Sequence, residues 1–163
     1  MKKVLLILIL LLFVNCKKKT AYFNLSILNK DYNLNLQTGE YKMEWYNKYS
    51  DKIKLTQNEK EKINELIFKY HLDTLKGIKL VEDNKNSIMP YFNDVLILKE
   101  EKDTVSRIDI SRQAKLNSNF TKTEIDILNF RKDIFELLEE NSDFRRNLDT
   151  LEVAKKKVQR IFL

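Results

Sequence analysis

Residues 23–45, FNLSILNKDYNLNLQTGEYKMEW, decide the fold class of this chain. Phe23, Leu25 and Ile27 alternate with Asn24 and Ser26, the period of two expected of a strand with one buried face. Asn29-Lys30-Asp31 is a turn signal, and Tyr32, Leu34 and Leu36 then alternate with Asn33 and Asn35. Thr38-Gly39 punctuates the pattern, so residues 32–36 and 40–46 read as a hairpin turning near Gly39. Tyr41, Met43 and Trp45 share one face of the second arm, expected to pack under a helix. Tyr46 and Tyr49 are then the aromatic pair expected at the surface, beside Lys42, Lys48 and Lys52. Aromatic rings with accessible polar edges serve well as contact anchors, which makes Tyr46 and Tyr49 the candidate binding residues.

Working outward, residues 52–55 read either as another short strand or as the approach to a helix. Thr56-Gln57-Asn58-Glu59 is a capping box, with Ile63, Leu66, Ile67 and Tyr70 following at helical spacing. Leu72 and Leu75 complete the apolar exit of that helix, and Gly77 is expected to end the segment. The polar residues 82–94 read as a loop. A second hairpin, 95–99 with 104–110, turns at Glu100-Glu101-Lys102-Asp103, and the run Val95–Leu98 predicts a central strand covered on both faces. Thr121-Lys122-Thr123-Glu124 is a second capping box, and a third helix starts near Ser142 or Asp143 with the stripe Phe144, Leu148, Leu151, Ala154, Val158 and Phe162. The expectation is an α+β fold: an antiparallel sheet of about five strands packed with three helices, the C-terminal part helical.

The amino terminus is of another kind. In MKKVLLILILLLFVNC, Lys2 and Lys3 precede an unbroken apolar run, Val4–Val14, that ends at Asn15 and the sole cysteine, Cys16. Eleven residues make about 16 Å of helix, roughly half the hydrocarbon thickness of a bilayer. That length suits a secretory signal and is short for a permanent span. The segment resembles the signal peptide of bacterial lipoproteins, with Phe13, Val14 and Asn15 in the lipobox positions; Asn15 departs from the usual small residue there. The resemblance implies removal of residues 1–15, lipidation of Cys16, a tether over 16–21 and a single domain over 22–163. It also implies attachment to membrane through that lipid, Lys17 being compatible with an outer-membrane address facing the periplasm.

Removal of residues 1–15 leaves 148 of 163 residues, enough for one domain with a sizeable core. Without Lys2 and Lys3 the 30 basic residues become 28 against 24 acidic, a formal charge of +4. Lys17, Lys18 and Lys19 carry most of that excess beside the anchor, where each gains about 1 kcal/mol from anionic headgroups. The remainder is close to neutral, so no nucleic-acid partner is expected. Glycine occurs only at Gly39 and Gly77 and proline only at Pro90, which excludes glycine-rich phosphate loops and nucleophile elbows.

Few residues suggest chemistry. A lipidated Cys16 leaves no thiol for catalysis or metal binding. His71, the only histidine, is expected at the surface near a helix C-terminus, favoured there by the helix dipole. Glu100-Glu101 and Glu139-Glu140 are adjacent pairs suited to solvent, whereas acid–base work needs carboxyls that converge from different environments. Glu82-Asp83-Asn84 lacks the alternating oxygens, central glycine and terminal glutamate of a calcium loop. Lys155-Lys156-Lys157 is expected on a solvated helix face. Asp73-Thr74-Leu75, Asp103-Thr104-Val105 and Asp149-Thr150-Leu151 resemble a short acceptor pattern for periplasmic O-glycosylation, with Thr104 at a reachable turn. No catalytic residue, metal or cofactor is expected.

The sequence therefore predicts a membrane-anchored envelope lipoprotein with a non-enzymatic binding or structural role toward an envelope protein. One version is an inhibitor or immunity protein. The alternative is a periplasmic hydrolase acting on an envelope polymer, which two converging carboxylates in a cleft, one with a raised pKa, would favour.

Overall fold

The computed structural model describes residues 23–43, 49–82, 93–101, 103–115 and 119–161. Cys16, Trp45, Tyr46, Pro90 and Phe162 lie outside these residues.

The quoted stretch forms three strands: β1 (Phe23–Leu28), β2 (Asn33–Asn35) and β3 (Glu40–Met43). Side-chain amides shape both turns between them. The Asn29 carbonyl oxygen accepts from the backbone N–H groups of Asp31 and Tyr32, each at 2.9 Å. Asn35 accepts in the same way from Gln37 and Thr38, at 3.0 Å each. Gly39 closes the second turn at φ 75°. Its position is crowded as well as left-handed, because a Cβ there would lie 2.0 Å from the Ile53 carbonyl oxygen.

The chain continues through β4 (Tyr49–Lys52), α1 (Gln57–Lys69), a 3-10 turn (Leu72–Thr74), β5 (Gly77–Val81), β6 (Asn93–Glu100), β7 (Asp103–Ser111), α2 (Lys122–Glu140) and α3 (Ser142–Ile161). Both capping boxes form as the spacing predicts: Thr56 with Glu59 opens α1, and Thr121 with Glu124 opens α2. Asn141 caps α3, accepting from the N–H groups of Asp143 (3.0 Å) and Phe144 (3.1 Å).

The strands make one seven-stranded sheet in the order β4-β3-β2-β1-β6-β7-β5. It is mixed, since β5 pairs with β7 in parallel while every other pair is antiparallel. The expected sheet of about five antiparallel strands is thus corrected in number and in direction. Two strands lie outside the sequence reading: β4 occupies 49–52, ahead of the 52–55 stretch read as a strand or a helix approach, and β5 begins at Gly77, whose φ of 70° starts a strand instead of ending a segment.

One face of the sheet packs on the helices. Leu25, Ile27, Leu34, Tyr41, Met43, Leu96, Leu98, Ile108 and Ile110 are buried there with Ile63, Ile67, Phe130, Ile134 and Phe144. Each such side chain contributes about 1.5–3 kcal/mol when fully buried. Tyr32 stacks on Tyr41 with ring centroids 4.9 Å apart and meets Phe144 edge-on at 6.0 Å. The expectation that Tyr41 and Met43 pack under helices therefore holds.

The opposite face carries Ser26, Leu28, Lys42, Ser50, Val95, Ile97, Arg107 and Asp109, all half-buried or exposed. β6 is central, but its two faces differ. Leu96 and Leu98 are fully buried, whereas Val95 and Ile97 are only half-buried, because no described helix crosses that side. The predicted double cover is corrected accordingly.

Candidate functional site

Three regions gather the polar chemistry of the described residues. The first lies at the end of the sheet where β6 begins and β7 ends. Asp31 and Asp94 are buried there, 5% and 7% exposed. Arg112 bridges them, with Nη1 3.4 Å from Asp31 Oδ2 and Nε 3.2 Å from Asp94 Oδ1. Arg131, from α2, lies 3.8 Å from Asp94 and donates to the carbonyls of Ser111 (3.1 Å) and Ala114 (3.2 Å). Lys155, from α3, reaches Asp31 at 3.1 Å. Burial works against the Lys155 charge, but Asp31 and then Glu152 outweigh it, so its pKa is raised. Lys155 thus leaves the solvated face expected for it, while Lys156 and Lys157 remain exposed. With both carboxylates held by cations, this cluster ties the β1–β2 turn to the last two helices. Only Asp31 Oδ1 is left without a hydrogen-bond partner.

The second region surrounds Tyr49. Met43 faces Tyr49 and Tyr41 faces Asp51 across β3 and β4, so Tyr49 and Asp51 point toward the helices. Arg146 clamps Asp51 and Asp143 at 2.7 Å each, and Asn147 donates to Asp51 at 3.0 Å. Arg146, the Lys52 N–H and Asn147 hold the Asp51 carboxyl down to about 2. Burial, then the Asp51 charge, raises the Tyr49 phenol. Tyr49 is half-buried against the core and not the freely exposed ring expected. Its predicted companion Tyr46 lies outside the described residues, as does Cys16.

The third region is an open groove of about 520 Å³ between α1 and α2, lined by Lys62, Glu65, Lys69, Asp133, Glu136 and Glu140 among others. Lys69 and the Tyr70 hydroxyl both donate to Asp133, at 2.9 and 2.5 Å, and lower its pKa.

Among the described residues, the carboxyls with displaced proton affinity, Asp51, Glu59, Asp133 and Asp143, are all displaced downward. A general acid needs the opposite shift. Their own structural partners favour these carboxylates as anions.

Comparison with protein-family models, with curated proteins and with solved structures finds no match for this chain.

The remaining candidates fall on the surface. His71 is exposed at φ 57°, just past the end of α1, with its N–H donating to the Phe68 carbonyl at 3.1 Å. Glu100, Glu101, Glu139 and Glu140 are exposed as expected. Thr104 is exposed at the second residue of β7, whereas the Thr74 hydroxyl donates to His71 and the Thr150 hydroxyl to Arg146. Glu82 is half-buried, and Asp83 and Asn84 lie outside the described residues. Among the described residues no group of acids, histidine and cysteine is arranged to hold a metal ion.

Sequence reasoning missed Ile78 and Leu80 on β5, which are 74% and 53% exposed on the face without helices. The signal was present as the alternation Gly77-Ile78-Lys79-Leu80-Val81, with Val81 fully buried. It is too short to be separated from the tail of the preceding helix without knowledge of β7.

Proposed function

We propose that this chain is a membrane-anchored envelope lipoprotein with a non-enzymatic binding role, held through lipid on Cys16 and presenting its α+β region to an envelope protein. The anchor reading rests on the pattern of residues 1–16. Among the described residues no helix is long and apolar enough to cross a membrane.

The observation that supports binding is the sheet face that no described helix covers, where Ile78 and Leu80 stand in solvent while the buried charges elsewhere are matched internally. Large exposed aliphatic side chains grouped on one surface mark contact sites. A role as an inhibitor or immunity protein is one form of this reading.

Two measurements test it. Cys16→Ser is expected to leave a precursor that incorporates no labelled fatty acid, and persistent label overturns the anchor. Affinity capture of the full chain with a C-terminal tag, from detergent-solubilised envelope, is expected to retain one stoichiometric protein. Capture of none overturns the binding role.

A further inference from the structure

We propose that the outer edge of β5 is a docking strand for an extended segment of a partner protein whose side chains alternate between acidic and apolar. This inference deepens the binding reading above and is independent of the lipid anchor.

β5 is the last strand of the sheet and pairs only with β7, so one side of its backbone meets no other described strand. An unpaired edge offers a row of N–H and C=O groups that an incoming strand can satisfy. Natural sheets blunt such edges with charge. The opposite edge of this sheet does so, with exposed Ser50 and Lys52 on β4 and Glu40 facing Lys52 across the pair. β5 carries its one charge, Lys79, on the half-buried side and exposes Ile78 and Leu80 on the face that no described helix covers.

The register extends this apolar surface inward. Ile78 lies beside Arg107 and Leu80 beside Asp109, with Ile97 and Val95 on the far side of that pair. Arg107 and Asp109 neutralise each other at 3.0 Å, so the strip between the aliphatic side chains demands no outside charge. An added strand would therefore set apolar side chains against Ile78 and Leu80 on this face.

The other face of β5 sets the charge of the partner. Lys79 is half-buried there and makes no ion pair among the described residues. Acidic side chains at the alternate positions of an incoming strand would meet it. A second copy of this chain matches the edge less well. Antiparallel self-pairing centred on Lys79 sets Lys79 against Lys79, with no opposite charge to match it.

The test is fluorescence anisotropy of the full chain in detergent with a labelled peptide of alternating glutamate and valine. A peptide with lysine for glutamate serves as control. The expected result is saturable binding of the glutamate peptide, weakened at least tenfold by Ile78→Asn and by Lys79→Glu. Both positions leave the core untouched, which circular dichroism would verify. Lys79→Glu is also expected to shift preference toward the lysine peptide. No saturable binding, or equal affinity for both peptides, overturns the proposal. So does dimerisation in sedimentation that Ile78→Asn abolishes, which assigns the edge to a second copy. A partner captured from envelope that is still retained by the Ile78→Asn/Lys79→Glu double variant overturns the edge and leaves the binding role standing.

Discussion

The two margins of the sheet are built on opposite principles. On the β4 side, backbone and side chains are fastened at close quarters: Ile53 donates to the Gly39 carbonyl at 2.8 Å, and Arg146 clamps Asp51. Asn141 reaches from the α2–α3 junction to the Lys54 carbonyl (3.1 Å) and to Glu59 (2.8 Å). On the β5 side, the strand pairs with one neighbour, carries aliphatic side chains into solvent, and begins at a glycine with nothing near it. One margin consumes its polar groups in holding the fold, while the other leaves them available. That division shows where stability and recognition reside.

The two glycines give the strongest test of the contrast. Both have φ near 70°, but a Cβ at Gly39 meets the Ile53 backbone whereas a Cβ at Gly77 meets nothing within 4 Å. Gly39→Ala is expected to destabilise by about 3 kcal/mol or more, since left-handed strain adds to a clash that only backbone movement relieves. Gly77→Ala bears the strain alone, about 1 kcal/mol. Urea denaturation of both variants checks the ratio, and equal losses would break the comparison.

Between these extremes stands Asn141→Ala. It removes a helix cap and two hydrogen bonds at a buried junction, and is expected to cost about 2 kcal/mol in the same assay. Burial disfavours the Glu59 anion, yet hydrogen bonds from Thr56 and Asn141 outweigh it, so its pKa is lowered. The substitution should therefore move the Glu59 titration upward as well, observable by NMR.

The smallest expected effect is electrostatic. Asp51 sits at about 2 in the folded protein, below its value of about 3.9 in an unfolded chain. A depressed carboxyl stabilises the fold above its unfolded pKa, and that contribution fades as pH falls from about 4 toward 2. Partial exposure reduces it to about 0.5–1 kcal/mol. Thermal melts across this window should show a shallower acid decline for Asp51→Asn than for wild type.

How much of this was legible follows from the range of the interactions. The two capping boxes, the turns at Asn29 and near Gly39 and the hairpin of β6 with β7 are local, and each was visible in residue spacing. The ionic clusters were not. Arg112 meets Asp31 across 81 positions and Arg146 meets Asp51 across 95, distances over which a sequence carries no spacing signal. β5 escaped for the same reason, because its partner β7 lies beyond β6. Lys155 escaped too: a run of three lysines reads as solvent-facing until a buried aspartate is placed under one of them.

Strand direction carries a last consequence. Phe23 faces Glu100, so β1 starts at the end of the sheet that holds the β6–β7 turn, and β5, running parallel to β7, starts there as well. If Cys16 is lipidated, the chain from Cys16 to Phe23 can reach at most roughly 25 Å, which limits how far that end can stand from the bilayer. With β5 starting at that same end, a partner anchored in the same bilayer would meet its edge by two-dimensional diffusion.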